Sequence, residues 1–183
     1  MALGTDYAQQ DCSIARALEV VGERWSMLIV RDAFYGVSRF NDFLVHLDIP
    51  RAVLTARLRA LVEAGVLRKE QYQYSPARYG YHLTEAGLEL WLPIHALSRW
   101  GEKHASDLGP RTIFTHDTCG TRLSPDSHCV PCGVRVTPEQ VIMRQAPGAR
   151  PNPRTDPVAV ALSRPHRLLT PVTDPGPEPA AHH

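Results

Sequence analysis

Three cysteines, Cys119, Cys129 and Cys132, fall within fourteen positions, and His116 precedes the first of them by three residues. The two halves, His116-Asp117-Thr118-Cys119-Gly120 and Cys129-Val130-Pro131-Cys132-Gly133, each have the form ligand-x-x-Cys-Gly and are separated by the nine residues between Cys119 and Cys129. Thiolates and imidazole at this spacing suit a tetrahedral Zn2+, and a glycine after each cysteine frees backbone amides to turn towards sulfur. The reading is a small zinc-ribbon-like segment over 111–145, with His116, Cys119, Cys129 and Cys132 as ligands and Zn2+ as a structural cofactor. Four protein ligands close the site and leave no position for a catalytic water. His128 is an alternative fourth ligand, and a Cys129–Cys132 disulfide, free thiols or a metal-free ribbon are the plainer alternatives. Zinc would supply folding energy that a segment of about 30 residues cannot draw from a core of its own.

The second chemistry is cationic. Between residues 39 and 78 seven basic side chains (Arg39, Arg51, Arg57, Arg59, Arg68, Lys69, Arg78) stand against four acidic ones, although the whole chain balances 20 Lys and Arg against 19 Asp and Glu for a net charge of +1. In the segment 50–64, Leu54, Leu58 and Leu61 fall on one face at 100° per residue and must point to the core. The opposite face holds Ala52, Ala56 and Arg59, with Thr55 beside them and Arg51 and Arg57 on the flanks. Small residues admit a helix to a groove, while Thr and Arg hydrogen-bond phosphates and base edges. A solvated arginine face is the plainer alternative.

The surrounding elements decide between these. Asp11 and Ser13 can cap a helix over Ile14–Val21 ended by Gly22, and Trp25, Leu28 and Ile29 begin a second that Gly36 ends. A short third helix carries Phe40, Phe43, Leu44 and Leu47; Pro50 opens the fourth and Gly65 closes it. Residues 66–73 and 79–84 read as strands joined by the loop 74–78, with Ser75 and Arg78 at its tip, and one long helix runs from Glu85 to about Ser106. Helix, turn, basic helix and basic hairpin in this order make a winged helix-turn-helix. The fold class is therefore mainly α with a small β-hairpin, a winged helix-turn-helix over 11–106 followed by the zinc-ribbon-like segment. Nine of the 16 prolines lie between 147 and 179, which reads as a Pro-rich disordered tail over 146–183.

The run CSIARALEVVGERWSMLIVRDAFYGVSRFNDFLVHLDIPRAVLTARLRALVEAGVL, followed by YSPARYGYHLTEAG, closely resembles the HxlR-type winged-helix transcriptional regulators, relatives of the MarR regulators. The residues that carry it are Cys12, Trp25, Arg39-Phe40-Asn41, Leu54-Thr55-x-Arg57-Leu58, Gly65, Pro76 and Tyr81-x-Leu83-Thr84-x-x-Gly87. The resemblance implies a homodimeric, sequence-specific regulator on double-stranded promoter DNA, with Arg39, Arg51, Ala52, Thr55, Arg57, Arg59, Ser75 and Arg78 as the DNA-facing set. It also allows Cys12, near the first turn of the first helix, to sense oxidants. A buried structural cysteine near the dimer interface is the alternative there.

Two apolar stripes on the last helix, Leu88-Trp91-Leu92-His95 and Leu90-Ile94-Leu97, call for burial on two sides, and a partner subunit is expected to supply the second. Such pairing sets two recognition helices roughly 34 Å apart, matching an inverted-repeat operator. No apolar run reaches the roughly 18 residues of a membrane span and the N-terminus lacks a signal pattern, so a cytoplasmic protein without membrane contact is expected. No GxSxG, HExxH, P-loop or GxGxxG pattern occurs and no βαβ unit surrounds the CxxC, so an enzyme is not expected. A small-molecule or oxidant effector is left open. The remaining alternative is a winged-helix interaction adaptor docking through its ribbon and tail.

Overall fold

The computed structural model describes residues 7–107, 109–149 and 153–173. Helix α1 (Ser13–Val21) starts at Cys12 and ends where the Gly22 N–H closes on the Leu18 carbonyl. Helix α2 (Ser26–Phe34) buries Ile29, Val30, Ala33 and Phe34. Helix α3 (Phe40–Leu47) ends on left-handed Asp48, and Pro50 then caps α4 (Arg51–Glu63), its fixed φ suited to a helix start. Leu54, Leu58 and Leu61 are fully buried against Phe34 and Phe43, as the periodicity requires. Each such side chain is worth about 1.5–3 kcal/mol of transfer energy.

The wing is β1 (Leu67–Tyr74) paired antiparallel with β2 (Ala77–Leu83), from Leu67↔Leu83 to Tyr74↔Ala77. The expected five-residue loop contracts to Ser75-Pro76, because a two-residue connection already closes a hairpin. Arg78 thereby joins the ladder opposite Gln73. The wing is tied to the helix-turn-helix where the Tyr81 N–H donates to the Ser38 carbonyl at 2.8 Å.

The single long helix expected from Glu85 is two helices, α5 (Glu85–Glu89) and α6 (Trp91–His104). Pro93 explains the break: it has no N–H to give the Glu89 carbonyl, so it fits only the first turn of a new helix. Thr84 caps α5 by accepting from the Gly87 N–H. Gly87 is itself required, since a Cβ there would lie 2.3 Å from the Val66 carbonyl oxygen.

The C-terminal half comprises β3 (Thr112–His116), the short pair β4 (His128–Cys129) and β5 (Val134–Arg135), β6 (Val141–Gln145), α7 (Pro157–Ala161) and β7 (His166–Arg167), with one sheet in the order β3-β6-β7. Its apolar residues Phe114, Leu123, Val136, Val141 and Met143 are continuous with the helical core. The joint is aromatic. Trp91 stacks on His95 at 5.2 Å, and the Phe114 ring meets both edge-on at 5.1 and 5.3 Å.

Two expectations are corrected here. Trp91 and His95 are covered within the chain, by β3 and the cysteine loops, and Ile94 is buried without a partner subunit, whereas Leu97 of the second stripe stays exposed. The Pro-rich region is not a disordered tail over 153–173. Asp156 caps α7 through the Ala159 N–H, Pro157 occupies the first turn where proline is tolerated, and Val158 and Leu168 are buried. The Leu169 N–H then donates to the Phe34 carbonyl at 2.7 Å, and Thr173 donates to Asp42 at 2.8 Å. Gly36 makes room for this strap: its φ is +87°, and a Cβ would sit 1.7 Å from the Thr170 oxygen. Residues 150–152 and 174–183 of the same expectation lie outside the described residues.

His95 is 1% exposed, hydrogen-bonded through Nδ1 to Ser127 at 2.8 Å, and burial lowers its pKa from 6.5 to about 4, with the Arg99 charge adding to the effect. Below 6.5 the unfolded chain takes up a proton that the folded chain refuses, so stability falls with acidification and levels off near 4. Across that interval the loss is on the order of 3 kcal/mol. Thermal unfolding of the wild type and His95→Gln between pH 7.5 and 4.5 should show a steeper acid loss in the wild type. Parallel curves would contradict a neutral buried imidazole.

Candidate nucleic-acid interface and metal centre

The first turn of α4 contains no acidic residue, and Arg51, Ala52, Thr55, Ala56 and Arg59 are exposed along its outward side. The Thr55 hydroxyl donates to the Arg51 carbonyl at 2.9 Å, which fixes its rotamer and leaves its lone pairs outward. Arg51 lies over the Phe40 ring at 5.1 Å, so the start of α4 is braced by α3. Arg59 donates to Glu63 at 2.7 Å on the exposed surface, and that contact raises its pKa.

Arg57 has a partner that the helix spacing does not reveal. It is half-buried and pairs with Glu23 at 3.4 Å, in the turn between α1 and α2, because its position on the helix rotates it away from the Arg51–Thr55 edge. It ties α4 to the body of the domain. On the wing, Arg78 and Ser75 are exposed, Lys69 sits over Tyr79 at 4.0 Å, and Arg39 at the start of α3 lies over Tyr72 at 5.3 Å. A groove of about 460 Å³ lined by Arg39, Asn41, Tyr72 and Arg78 separates the two elements. Exposed helix face, basic wing and cationic groove provide what a duplex needs: hydrogen bonds for base edges and positive charge for phosphates.

Sequence reasoning passed over the polar bridge behind this surface. Asp32 is fully buried on α2 and accepts from Arg31 at 2.7 and 3.0 Å, while its other oxygen meets His46 Nδ1 of α3 at 2.7 Å. A lone aspartate in an apolar helix was the only sequence signal, and its partner lies fourteen residues away.

His116, Cys119, Cys129 and Cys132 converge, their ligand atoms all within 4.8 Å of one another. Cys119 Sγ lies 3.4 Å from Cys129 Sγ and 3.6 Å from His116 Nδ1. Metal–ligand bonds of about 2.3 Å to sulfur and about 2.0 Å to nitrogen give tetrahedral edges of roughly 3.5–3.8 Å, so the cluster fits the ion. His128, the alternative fourth ligand, is outside it. Gly120 and Gly133 adopt φ of +71° and +68°, as the knuckle turns require. Hydrogen bonds from Thr121 hold the Cys119 thiol at a pKa of about 6, whereas hydrogen bonding to Cys119 and Cys129 pushes Cys132 up to about 11. His116 Nε2 is buried without a hydrogen bond and lies 3.7 Å from Asp117, whose other oxygen accepts from Arg167 of β7 at 2.7 Å. A carboxylate behind a histidine is the usual orienting partner in metal sites.

Cys12 is exposed at the N-cap of α1, so within one chain it is not the buried structural residue. None of the described helices is long and apolar enough to cross a membrane.

Comparison with known proteins agrees with this geometry. The sequence profile of the HxlR-like helix-turn-helix family matches residues 20–108. The HTH-type transcriptional regulator Rv3095 of Mycobacterium tuberculosis is 43% identical over 137 residues, covering 74% of this chain and 87% of the relative. YdeP of Bacillus subtilis, also an HTH-type transcriptional regulator, is 34% identical over 106 residues, 56% of this chain and 83% of its own. Among solved structures, PA1607, a candidate transcription factor, superposes with a TM-score of 0.59 at 34% identity over 72% of this chain and 93% of that one. Each of these relatives is described as a transcriptional regulator or transcription factor. With its winged helix-turn-helix fold and this degree of identity, the chain belongs to the HxlR-like family of helix-turn-helix transcriptional regulators.

Proposed function

We propose that the protein is a homodimeric, sequence-specific regulator acting in the cytoplasm, which sets the start of α4 in the major groove of promoter DNA and the wing on the flanking backbone. The observation that carries this reading is the exposed Arg51-Ala52-Thr55-Ala56 edge beside a basic wing, with no acidic group in the first turn. Ala52 and Ala56 let the backbone approach, Thr55 and Arg51 address base edges and phosphates, and Arg39, Ser75 and Arg78 hold the backbone. Arg59 lies farther along the same face and contributes once Glu63 releases it.

Dimerisation is supported by apolar side chains left uncovered. Ile14 and Leu18 on α1 and Leu97 and Trp100 on α6 are 43–67% exposed, an unfavourable surface for a monomer. Leu97→Asp is therefore expected to leave the fold intact and to shift the protein from dimer towards monomer in sedimentation, with weakened DNA binding. An unchanged dimer would move the interface elsewhere.

The cysteine cluster holds Zn2+ as a structural ion that fastens the C-terminal half, through Phe114 and Ser127, to α6. The test of DNA binding is titration of the purified protein with the duplex upstream of its own gene over a salt series, with and without reductant. Arg78→Ala, removing one phosphate contact per subunit, should flatten the slope of log K against log salt by about 2 and weaken all sequences alike. A salt slope near zero for the wild type would favour the adaptor reading. A reductant effect that disappears in Cys12→Ser would make Cys12 the sensor.

A further inference from the structure

A cavity of about 400 Å³ lies where the three parts of the chain meet. Arg31, Tyr35 and His46 enter it from the helix-turn-helix, Arg111 and Met143 from the ribbon sheet, and Leu162 from the segment after α7. We propose that this cavity is a binding site for a small monocarboxylate with an apolar body, and that its occupancy is read by the α2–α3 pair. The inference rests on the regulator reading and adds to it the place and chemistry of the effector.

The cationic end is specific. Arg31 spends Nε and Nη2 on Asp32, which leaves Nη1 without a partner among the described residues. About a third of the Arg31 side-chain surface remains accessible, although protein surrounds it and its neighbour Asp32 is fully buried. The guanidinium lies over the Tyr35 ring at 5.5 Å, an arrangement that presents its remaining N–H edge in a fixed direction. Glu102, the carboxylate lining the cavity, is already paired with Arg99 at 2.5 Å and Arg122 at 2.9 Å, so it does not neutralise Arg31. Met143, Leu162 and Ala159 supply an apolar wall on the other side. The volume is near the lower end for small-molecule sites, which limits the ligand to a single ring or a short chain.

The coupling follows from connectivity. The same Asp32 that holds Arg31 also holds His46 of α3 at 2.7 Å, and α3 carries the turn into α4. A carboxylate on Arg31 draws on the charge that Asp32 shares between the two helices. The wall opposite, α7, is capped by Asp156, which is bound by Arg154, whose guanidinium also donates to the Val45 carbonyl of α3. A ligand therefore bears on α3 from both sides.

The experiment is calorimetric titration of the full-length, zinc-loaded protein with benzoate and hexanoate, against benzamide and hexanamide, in parallel with DNA affinity. At least one carboxylate should bind saturably and its amide at least tenfold more weakly. Binding should change DNA affinity at least fivefold. Leu162→Trp, which fills the cavity from outside the helix-turn-helix, should retain DNA binding and lose the carboxylate; Arg31→Gln should lose it as well. Equal binding of acid and amide, undiminished carboxylate binding by folded Leu162→Trp, or no saturable binding to a protein that still binds DNA would overturn the site. Carboxylate binding that leaves DNA affinity unchanged would overturn the coupling. Carboxylate binding by a protein that binds no DNA would support the cavity and refute the regulator reading.

Discussion

Cys129→Ser is expected to abolish stoichiometric zinc binding and to lower the unfolding midpoint by on the order of 10 °C or more. Cys129 is fully buried, sits on β4 and brings its sulfur within 3.4 Å of Cys119. Structural zinc sites in small domains contribute about 10–16 kcal/mol of apparent binding energy, which appears as folding energy because the unfolded chain has no site. Here part of that energy is replaced by the core around Phe114 and Val141, so the whole molecule is not expected to unfold. The C-terminal half should lose its order first, and with it the cover over Trp91 and the strap on Phe34 and Asp42. Metal analysis with a thermal scan checks this. Chelated wild type should match the variant, and added zinc should restore only the wild type. One retained equivalent of zinc in the variant, or a midpoint shift under about 2 °C, would show that the cluster is not the site.

Trp91→Ala is expected to cost about 3–5 kcal/mol, the range for removing a large aromatic from a core. Trp91 is 3% exposed and touches Phe34 of α2 at 5.5 Å, Phe114 of β3 at 5.1 Å and His95 on its own helix. His95 at 5.3 Å and Tyr35 at 6.5 Å also meet Phe114, so Trp91 is the largest of three rings that join the two halves through it. The expected signature in denaturant is a lower midpoint with loss of a single transition, because the halves then unfold separately. A cost below about 1 kcal/mol would mean that the two halves are held together by the polar contacts alone.

The helix-turn-helix was legible because its signals are local. Leu54, Leu58 and Leu61 repeat with the helical period, Gly36 and Gly65 punctuate, and Ser75-Pro76 separates two strand-like runs. The knuckles were legible for the same reason: ligand spacing and the following glycines are properties of a few adjacent residues. What was hidden depends on distant pairings. The cover over Trp91 and His95 is not legible because Phe114 and Ser127, which supply it, lie in a segment too polar to suggest a core. The folded strap was hidden because proline density argues against order in general, while Pro157 in particular occupies a helix start. Arg57 reads as a DNA contact from its helix position, and its pairing with Glu23 is not legible because the partner lies in the distant turn between α1 and α2. Asp32 gave no warning of its role because one partner, Arg31, is adjacent and the other, His46, belongs to the next helix.

The central claim is that two copies of α4 and its wing read an inverted repeat. Selection from a randomised duplex pool by the zinc-loaded protein tests it most directly, with Thr55→Ala run in parallel. The account predicts enrichment of two half-sites in opposite orientation, centred about 10 base pairs or a multiple apart. It also predicts relaxed preference at the same position of both half-sites in the variant. Enrichment of a single asymmetric site, or no enrichment from a protein that is folded and zinc-loaded, would contradict it.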